Sequence, residues 1–235
     1  MRIAILGADG FLGKALCKQF PDAVRITRGN FHALRGIQFD VFINANGNSR
    51  KWWAEKYPFF DYQQSTSSVY KTFKDFNIKH YIYISSSDVY NADESHYGFH
   101  KKLAEEIVMR NAESYLILRC SAMIGEGLKK GVVYDLMNGH SLRVSPYSAM
   151  QFIPTGEIAE IITTCLLNDY KNTTYNVGGI GALSIIGIAK MLNVKIIEQG
   201  CSFENHEVDV TDLQDIFPLK TSRQYVKEYI YERME

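Results

Sequence analysis

Two rhythms of apolar residues alternate along the first half of the chain. RIAIL (2–6), AVRIT (23–27), DVFINAN (40–46), HYIYISSS (80–87) and YLILR (115–119) are short, β-branched or aromatic, and almost continuously apolar. Between them run longer segments with helical spacing: FLGKALCKQF (11–20), PFFDYQQSTSSVYKTFKDF (58–76) with a stripe through Val69, Phe73 and Phe76, and YGFHKKLAEEIVMR (97–110). Near-continuous apolar runs suit strands buried on both faces. Their alternation with helices predicts a parallel sheet covered on both sides. Only the brief FHALRG (31–36) separates the second run from the third.

After Arg119 the pattern changes. GEGLKKG (125–131) is a Gly/Lys loop, and 141–167 reads as a strand, a turn and a helix. TYNVGG (174–179) reads as a strand, LSIIGIAKML (183–192) as a helix, and SRQYVKEYIYERME (222–235) as a polar helix. No low-complexity linker and no internal repeat interrupts the chain. The expectation is an α/β fold with a doubly wound parallel sheet and a small C-terminal α/β lobe. Residues 1–235 form one domain, with those from about 120 onward contributing the lobe.

Charge narrows the function classes. The chain has 235 residues, with 26 Lys and Arg against 26 Asp and Glu. That balance argues against a nucleic-acid binder, which shows a basic excess. Cys17, Cys120, Cys165 and Cys201 are far apart and without metal-ligand spacing, so they read as structural thiols of a reducing compartment, and no metal is expected. Gly7, Asp9 and Gly10 break the opening apolar stretch, which excludes a signal peptide. No apolar run is long enough to span a bilayer. A soluble, cytoplasmic protein with no membrane partner is expected.

GADGFLG (7–13) lies between the first strand and the first helix. Gly7 permits a tight turn, Gly10 removes a side chain where a phosphate would approach, and Gly13 lets the helix pack on the sheet. The helix N-terminus then offers N–H groups and a partial positive charge to a pyrophosphate. The spacing is G-x-x-G-x-x-G, which on its own also suits a plain strand-to-helix turn.

In this order, GADGFLG, DVFINANG, NIKHYIYISSSDVYN, YGFHKKLAEE, YLILRCSAMIGEG, QFIPTGEIAEII and TYNVGG resemble the segments of the extended short-chain dehydrogenase/reductases, the NAD(P)-dependent epimerase/dehydratase family. The resemblance runs to about residue 192 and implies a Rossmann-type fold. It places Gly7, Asp9, Gly10, Phe11, Leu12 and Gly13 around the cofactor phosphates. Asn44, Ala45 and Asn46 fall where the family's backbone contacts the cofactor. Tyr97 and Lys101 take the catalytic Tyr-x-x-x-Lys positions, with Lys101 also on the nicotinamide ribose. Ser86, four residues before Tyr90 of the Val-Tyr pair, takes the place of the catalytic Ser or Thr.

The residues themselves fit that chemistry. Tyr97 and Lys101 share a helix face. A phenol with its pKa near ~10 is a poor base, and a neighbouring ammonium favours its ionised form. Tyr70 and Lys74 have the same spacing but do not follow the serine strand, and read as a surface pair. Ser86 suits either proton sharing or the capping of a strand end. Asp88 stands where a sugar-nucleotide 4,6-dehydratase subgroup places a Glu, and also suits a capping or solvated role.

NAD-specific members of the family carry an acid after the second strand, whereas this chain has Thr27 and Arg28. A guanidinium pairs with a 2′-phosphate, which selects NADP, with NAD as the alternative. Ser87, Asp88 and Arg143 are candidate substrate contacts. Arg50, Lys51, Lys129 and Lys130 could meet a nucleotide diphosphate or form a solvated face. His100 shares the Tyr97 face and reads as a surface residue. One strand and its crossover, usual in the family, are missing or reduced before DVFINAN.

The leading reading is an NADP-dependent oxidoreductase or epimerase on a nucleotide-sugar-like small molecule, assembled as a homodimer. A 4,6-dehydratase using Asp88 and a dinucleotide sensor without turnover are the alternatives.

Overall fold

The computed structural model describes residues 1–234. The side chain of Cys201, and with it the expectation for that thiol, lies outside the described residues. Cys120 and Cys165 are buried, Cys17 is half-buried, and none of the three is in a disulfide. Burial alone pushes the Cys165 thiol up to about 11.

Strands β1 (Ile3–Leu6), β2 (Val24–Ile26), β3 (Gln38–Asn44), β4 (Asn77–Ser86) and β5 (Ser114–Cys120) join a later strand, Thr173–Val177, in one six-stranded sheet. The order from one edge is Thr173–Val177, β5, β4, β3, β1, β2. β1 pairs in parallel with both β2 and β3, and β3 in parallel with β4. Parallel pairing requires crossovers, and these are helices α1 (Phe11–Gln19), α2 (Lys51–Lys56), α3 (Pro58–Tyr62), α4 (Ser68–Asp75) and α5 (His96–Asn111). This is the doubly wound α/β arrangement that the sequence pattern predicts.

Chain order reverses beside β1, where β2 lies to one side and β3 to the other. Ligands of such sheets bind outside the carboxyl ends at this reversal. Leu6 is in register with Asn44, and Asn44 with Tyr83, so the segments that follow β1, β3 and β4 leave the sheet along one edge.

The expected 58–76 helix is present but interrupted. Residues Gln63–Ser67 form a π turn between α3 and α4. Val69 and Phe76 are buried as the stripe requires, and Phe73 packs on the cluster they join. The Tyr81 ring is stacked by Phe42 of β3 at 5.5 Å and by Phe73 of α4 at 4.6 Å, fixing α4 against β3 and β4. Between β2 and β3 there is only a single 3-10 turn, His32–Leu34. The shortened crossover expected from the sequence is therefore present.

The chain divides into two compact units, Met1–Arg119 with Ile162–Tyr175, and Cys120–Ile161 with Asn176–Glu235. In the second unit the helix Ser222–Met234 is not the polar helix its composition predicts: Tyr225, Val226, Tyr229 and Ile230 are buried. The i, i+1, i+4, i+5 spacing gives it a narrow apolar face that its charges obscure. Among the described residues, no helix is long and apolar enough to cross a membrane.

Candidate active site

Gly7 makes the tight turn and Gly13 the close helix packing that the sequence suggested. Gly7 has φ +84°, and its N–H donates to the Ile26 carbonyl at 3.0 Å. A Cβ there would meet the Ala45 backbone at 3.0 Å. A side chain at Gly13 would overlap the Gly7 carbonyl oxygen, so helix α1 sits directly on the loop. Gly10 opens α1 with no side-chain cap. Leu12 is buried, Asp9 is exposed and Phe11 is half-buried.

Asn44 leads into Ala45 and Asn46. It is the last residue of β3, and its side chain turns into the core, donating to the Tyr81 hydroxyl at 2.7 Å and accepting from Asn46 N–H at 3.0 Å. It orders the Ala45–Asn46 backbone and presents nothing outward. Thr27 and Arg28 follow β2. The Asn30 side chain accepts from Thr27 N–H at 2.8 Å and closes this turn, leaving Arg28 exposed.

Helix α5 begins where Ser95 accepts from Gly98 N–H at 2.9 Å. Any side chain at Gly98 would overlap the Asp88 carbonyl oxygen, so the first turn of α5 packs on the turn after β4. Tyr97 and Lys101 are both buried. Lys101 Nζ donates to the Ile84 carbonyl at 3.2 Å and lies 5.2 Å from the centre of the Tyr83 ring. It also sits beside Gly47, just past β3. Burial pushes the Tyr83 phenol well above its usual value, and Tyr81, Tyr97, Glu105 and Asp61 add to the shift. Tyr83 is thus a common neighbour of Tyr97 and Lys101.

The three serines diverge. Ser85 donates to Glu105 Oε1 at 2.5 Å, and Arg119 grips the same carboxylate through Nε and Nη2, the latter at 2.7 Å. Ser86 ends β4 and donates to Asp88 Oδ2 at 2.9 Å. Ser87 is half-buried. Asp88 is neither solvated nor a cap. It is buried, and its other oxygen pairs with Lys51 Nζ at 2.6 Å. Lys51 is exposed, as a solvated face requires, and its ammonium is also ion-paired at the end of the serine strand.

His100 is also a correction. It is buried, with Nδ1 2.6 Å from Asp61 Oδ2. Tyr70 and Lys74 form the expected surface pair, the ammonium 5.2 Å from the centre of a ring that is 43% exposed. Arg143 is exposed in the second unit, as are Lys129 and Lys130, whereas every other candidate belongs to the first. Among the described residues, no group of His, Cys, Asp or Glu is arranged to hold a metal ion.

No protein-family model and no curated protein matches the sequence. Solved structures do. A dTDP-4-dehydrorhamnose reductase from Clostridium acetobutylicum ATCC 824 matches with a TM-score of 0.79 at 17% identity, covering 100% of both chains. A UDP-N-acetylglucosamine 4-epimerase from Methanobrevibacter ruminantium M1, in complex with UDP-N-acetylmuramic acid, matches with a TM-score of 0.79 at 16% identity, over 99% of this chain and 98% of its own. A dTDP-4-dehydrorhamnose reductase from Bacillus anthracis str. Ames, in complex with NADP, matches with a TM-score of 0.77 at 16% identity, over 98% of each.

The chain shares its fold with these reductases and this epimerase. Within that fold, the glycine loop, the β3 end, Ser86 and the Tyr97–Lys101 helix all occur in one unit. The roles of Asp61 and His100 went unread because the partners lie 39 residues apart in sequence. The aspartate falls inside a helical run whose apolar stripe passes through Val69, Phe73 and Phe76.

Proposed function

We propose that this protein is an NADP-dependent oxidoreductase or epimerase acting on a hydroxyl or carbonyl group of a nucleotide-sugar-like substrate. The observation that carries the reading is Lys101: buried, one turn from Tyr97, and beside Gly47 at the sheet edge where the glycine loop also emerges. The reductases and epimerases that share the fold support the substrate class, and the relative in complex with NADP supports the cofactor.

The cradle fits a dinucleotide. Gly7, Gly10 and Gly13 leave backbone where side chains would stand, and the α1 N-terminus carries partial positive charge toward a pyrophosphate. Arg28 would hold the 2′-phosphate and Lys101 the nicotinamide ribose. NADP supplies the hydride acceptor or, reduced, the donor. Tyr97 takes the proton from a substrate hydroxyl or returns it to a carbonyl oxygen, its ionised form favoured by the Lys101 ammonium. Ser86 holds the substrate oxygen. Its hydroxyl hydrogen rests on Asp88 and reaches substrate by rotation about the Cβ–Oγ bond. Calorimetric titration with NADPH, followed by a screen of sugar nucleotides for NADPH oxidation, tests the reading. No binding of either dinucleotide would overturn it.

A 4,6-dehydratase is the second reading. It is supported by the buried Asp88 carboxylate in contact with Ser86, which in this reading exchanges a proton with substrate. Water loss from a sugar nucleotide with no net NADPH consumption would select it.

Cofactor preference follows from Arg28. A charge-assisted hydrogen bond contributes about 1.5–3 kcal/mol, so NADPH should bind roughly tenfold to a hundredfold more tightly than NADH. Arg28→Ala should erase the difference. Equal affinities in the native protein would remove NADP as the cofactor.

The homodimer is carried by the resemblance, in which the helices corresponding to roughly 59–76 and 96–111 form the dimer interface, and by exposed aromatics on those segments. Phe59 is 66% exposed, Phe60 54% and Phe99 46%. Light scattering at micromolar concentration should give twice the chain mass, and Phe59→Glu should return the monomer. A monomeric native protein contradicts the assembly.

A further inference from the structure

The polar chain behind Tyr97 and Lys101 is continuous. His100 Nδ1 lies 2.6 Å from Asp61 Oδ2, and because a carboxylate oxygen only accepts, this contact requires the Nδ1–H form of the ring. The other Asp61 oxygen accepts from Asn48 Nδ2 at 2.8 Å and from the Ser65 hydroxyl at 3.2 Å. Ser65 in turn accepts from Asn48 N–H at 3.3 Å. Asn48 closes the next turn, accepting from Arg50 N–H at 2.9 Å and donating to the Arg50 carbonyl at 3.0 Å.

Lys51, the next residue, starts α2 and reaches Asp88 at 2.6 Å, and Asp88 holds Ser86. The far end of α2 is tethered as well, since Tyr97 N–H donates to Glu55 at 3.4 Å. Asn48, Asp61, Ser65 and His100 are all buried. A short helix of six residues that buries only Ala54 has little packing to fix it. Its direction is set by what holds its ends.

We propose that Asp61 and His100 form a buried positioning pair that fixes the Gly47–Lys51 loop and so holds Lys51 on Asp88 at Ser86. The pair touches no reacting atom. It acts through Asn48, whose side chain ties the carboxylate to the loop backbone. The same loop passes Lys101 at Gly47, so one pair governs the settings of both the ammonium and the serine. This rests on the proposed dehydrogenase/reductase reading for the importance of Ser86 and Lys101. The arrangement itself is independent of that reading.

The chain carries its own reporter. Its only two tryptophans, Trp52 and Trp53, are the residues after Lys51. Trp53 packs on Tyr57 and Phe60, at 5.7 and 6.4 Å between ring centres, and Trp52 is 55% exposed. The test compares His100→Ala, His100→Asn and Asn48→Ala with the native chain at 20 °C, well below unfolding as monitored by circular dichroism. His100→Ala and Asn48→Ala should each shift tryptophan emission to the red and raise its acrylamide quenching constant about twofold. His100→Asn keeps an N–H near the Nδ1 position and should restore native values.

If a variant only lowers the melting temperature and leaves the native-state emission and quenching unchanged, the pair is merely part of the core and the proposal is wrong. Failure of Asn48→Ala to reproduce the His100→Ala signature would also overturn it, because the path to the loop would be different. NADPH titration of the native chain is run alongside. Its failure removes the functional reading and leaves the tryptophan result to decide the positioning role.

Discussion

Tyr97→Phe is expected to bind NADPH as the native chain does and to lose about 10²–10⁴-fold in turnover, the range removed with a positioned acid–base group. The substitution deletes one oxygen and keeps the ring. The ring is buried on the first turn of α5, so the fold and the cofactor cradle should be unaffected. Lys101→Ala should act on both quantities. Its ammonium donates to the Ile84 carbonyl beside Gly47, and in the proposed reading it serves both the cofactor ribose and Tyr97. Stopped-flow NADPH oxidation gives turnover and calorimetry gives binding. A fully active Tyr97→Phe protein would remove the phenol from the chemistry altogether.

The largest stability effect is expected at Glu105. This carboxylate is 1% exposed and accepts from Ser85, from Arg119 Nε and from Arg119 Nη2. It raises the pKa of the Arg119 guanidinium, which also donates to the Tyr90 hydroxyl at 3.0 Å. Glu105→Ala leaves a guanidinium and a buried hydroxyl without their acceptor. Breaking a buried pair in this way costs about 3–5 kcal/mol. Arg119 retains 25% side-chain exposure, which puts the expected loss near the lower end. At 2–4 °C per kcal/mol for a chain of this size, the melting temperature should fall by roughly 6–12 °C. Urea unfolding should show a lower midpoint at unchanged slope. A loss below about 1 kcal/mol would mean that solvent replaces the carboxylate easily, as at a surface pair.

What the sequence made legible was what depends on near neighbours. Apolar runs marked the first five strands and the helices between them because each element carries its own periodicity. The glycine loop was readable because the turn, the close approach and the helix start all fall within seven residues. Asp88 and His100 were misread for the opposite reason. Their partners, Lys51 and Asp61, lie 37 and 39 positions upstream, so nothing local distinguishes a buried pair from a solvated charge. The π turn at 63–67 left no trace, since its polar QQSTS suits an exposed helix face equally well, yet Ser65 and Thr66 are buried there. In the C-terminal unit, strands of two to five residues are too short to show a period.

The abbreviated connection between β2 and β3 has a consequence for how copies of this chain avoid one another. With no further strand outside it, β2 is the open border of the sheet, and an open border invites strand addition by a neighbouring molecule. This one offers little to add to. It is three residues long, and its central residue, Arg25, is exposed and charged. The Ile26 carbonyl is taken from within by Gly7 and Ala8 N–H, while the Arg25 carbonyl accepts from the Asn30 side chain at 2.9 Å. The asparagine that closes the turn carrying Arg28 therefore also blunts the rim, and its replacement by alanine would uncover an acceptor along this border of the sheet.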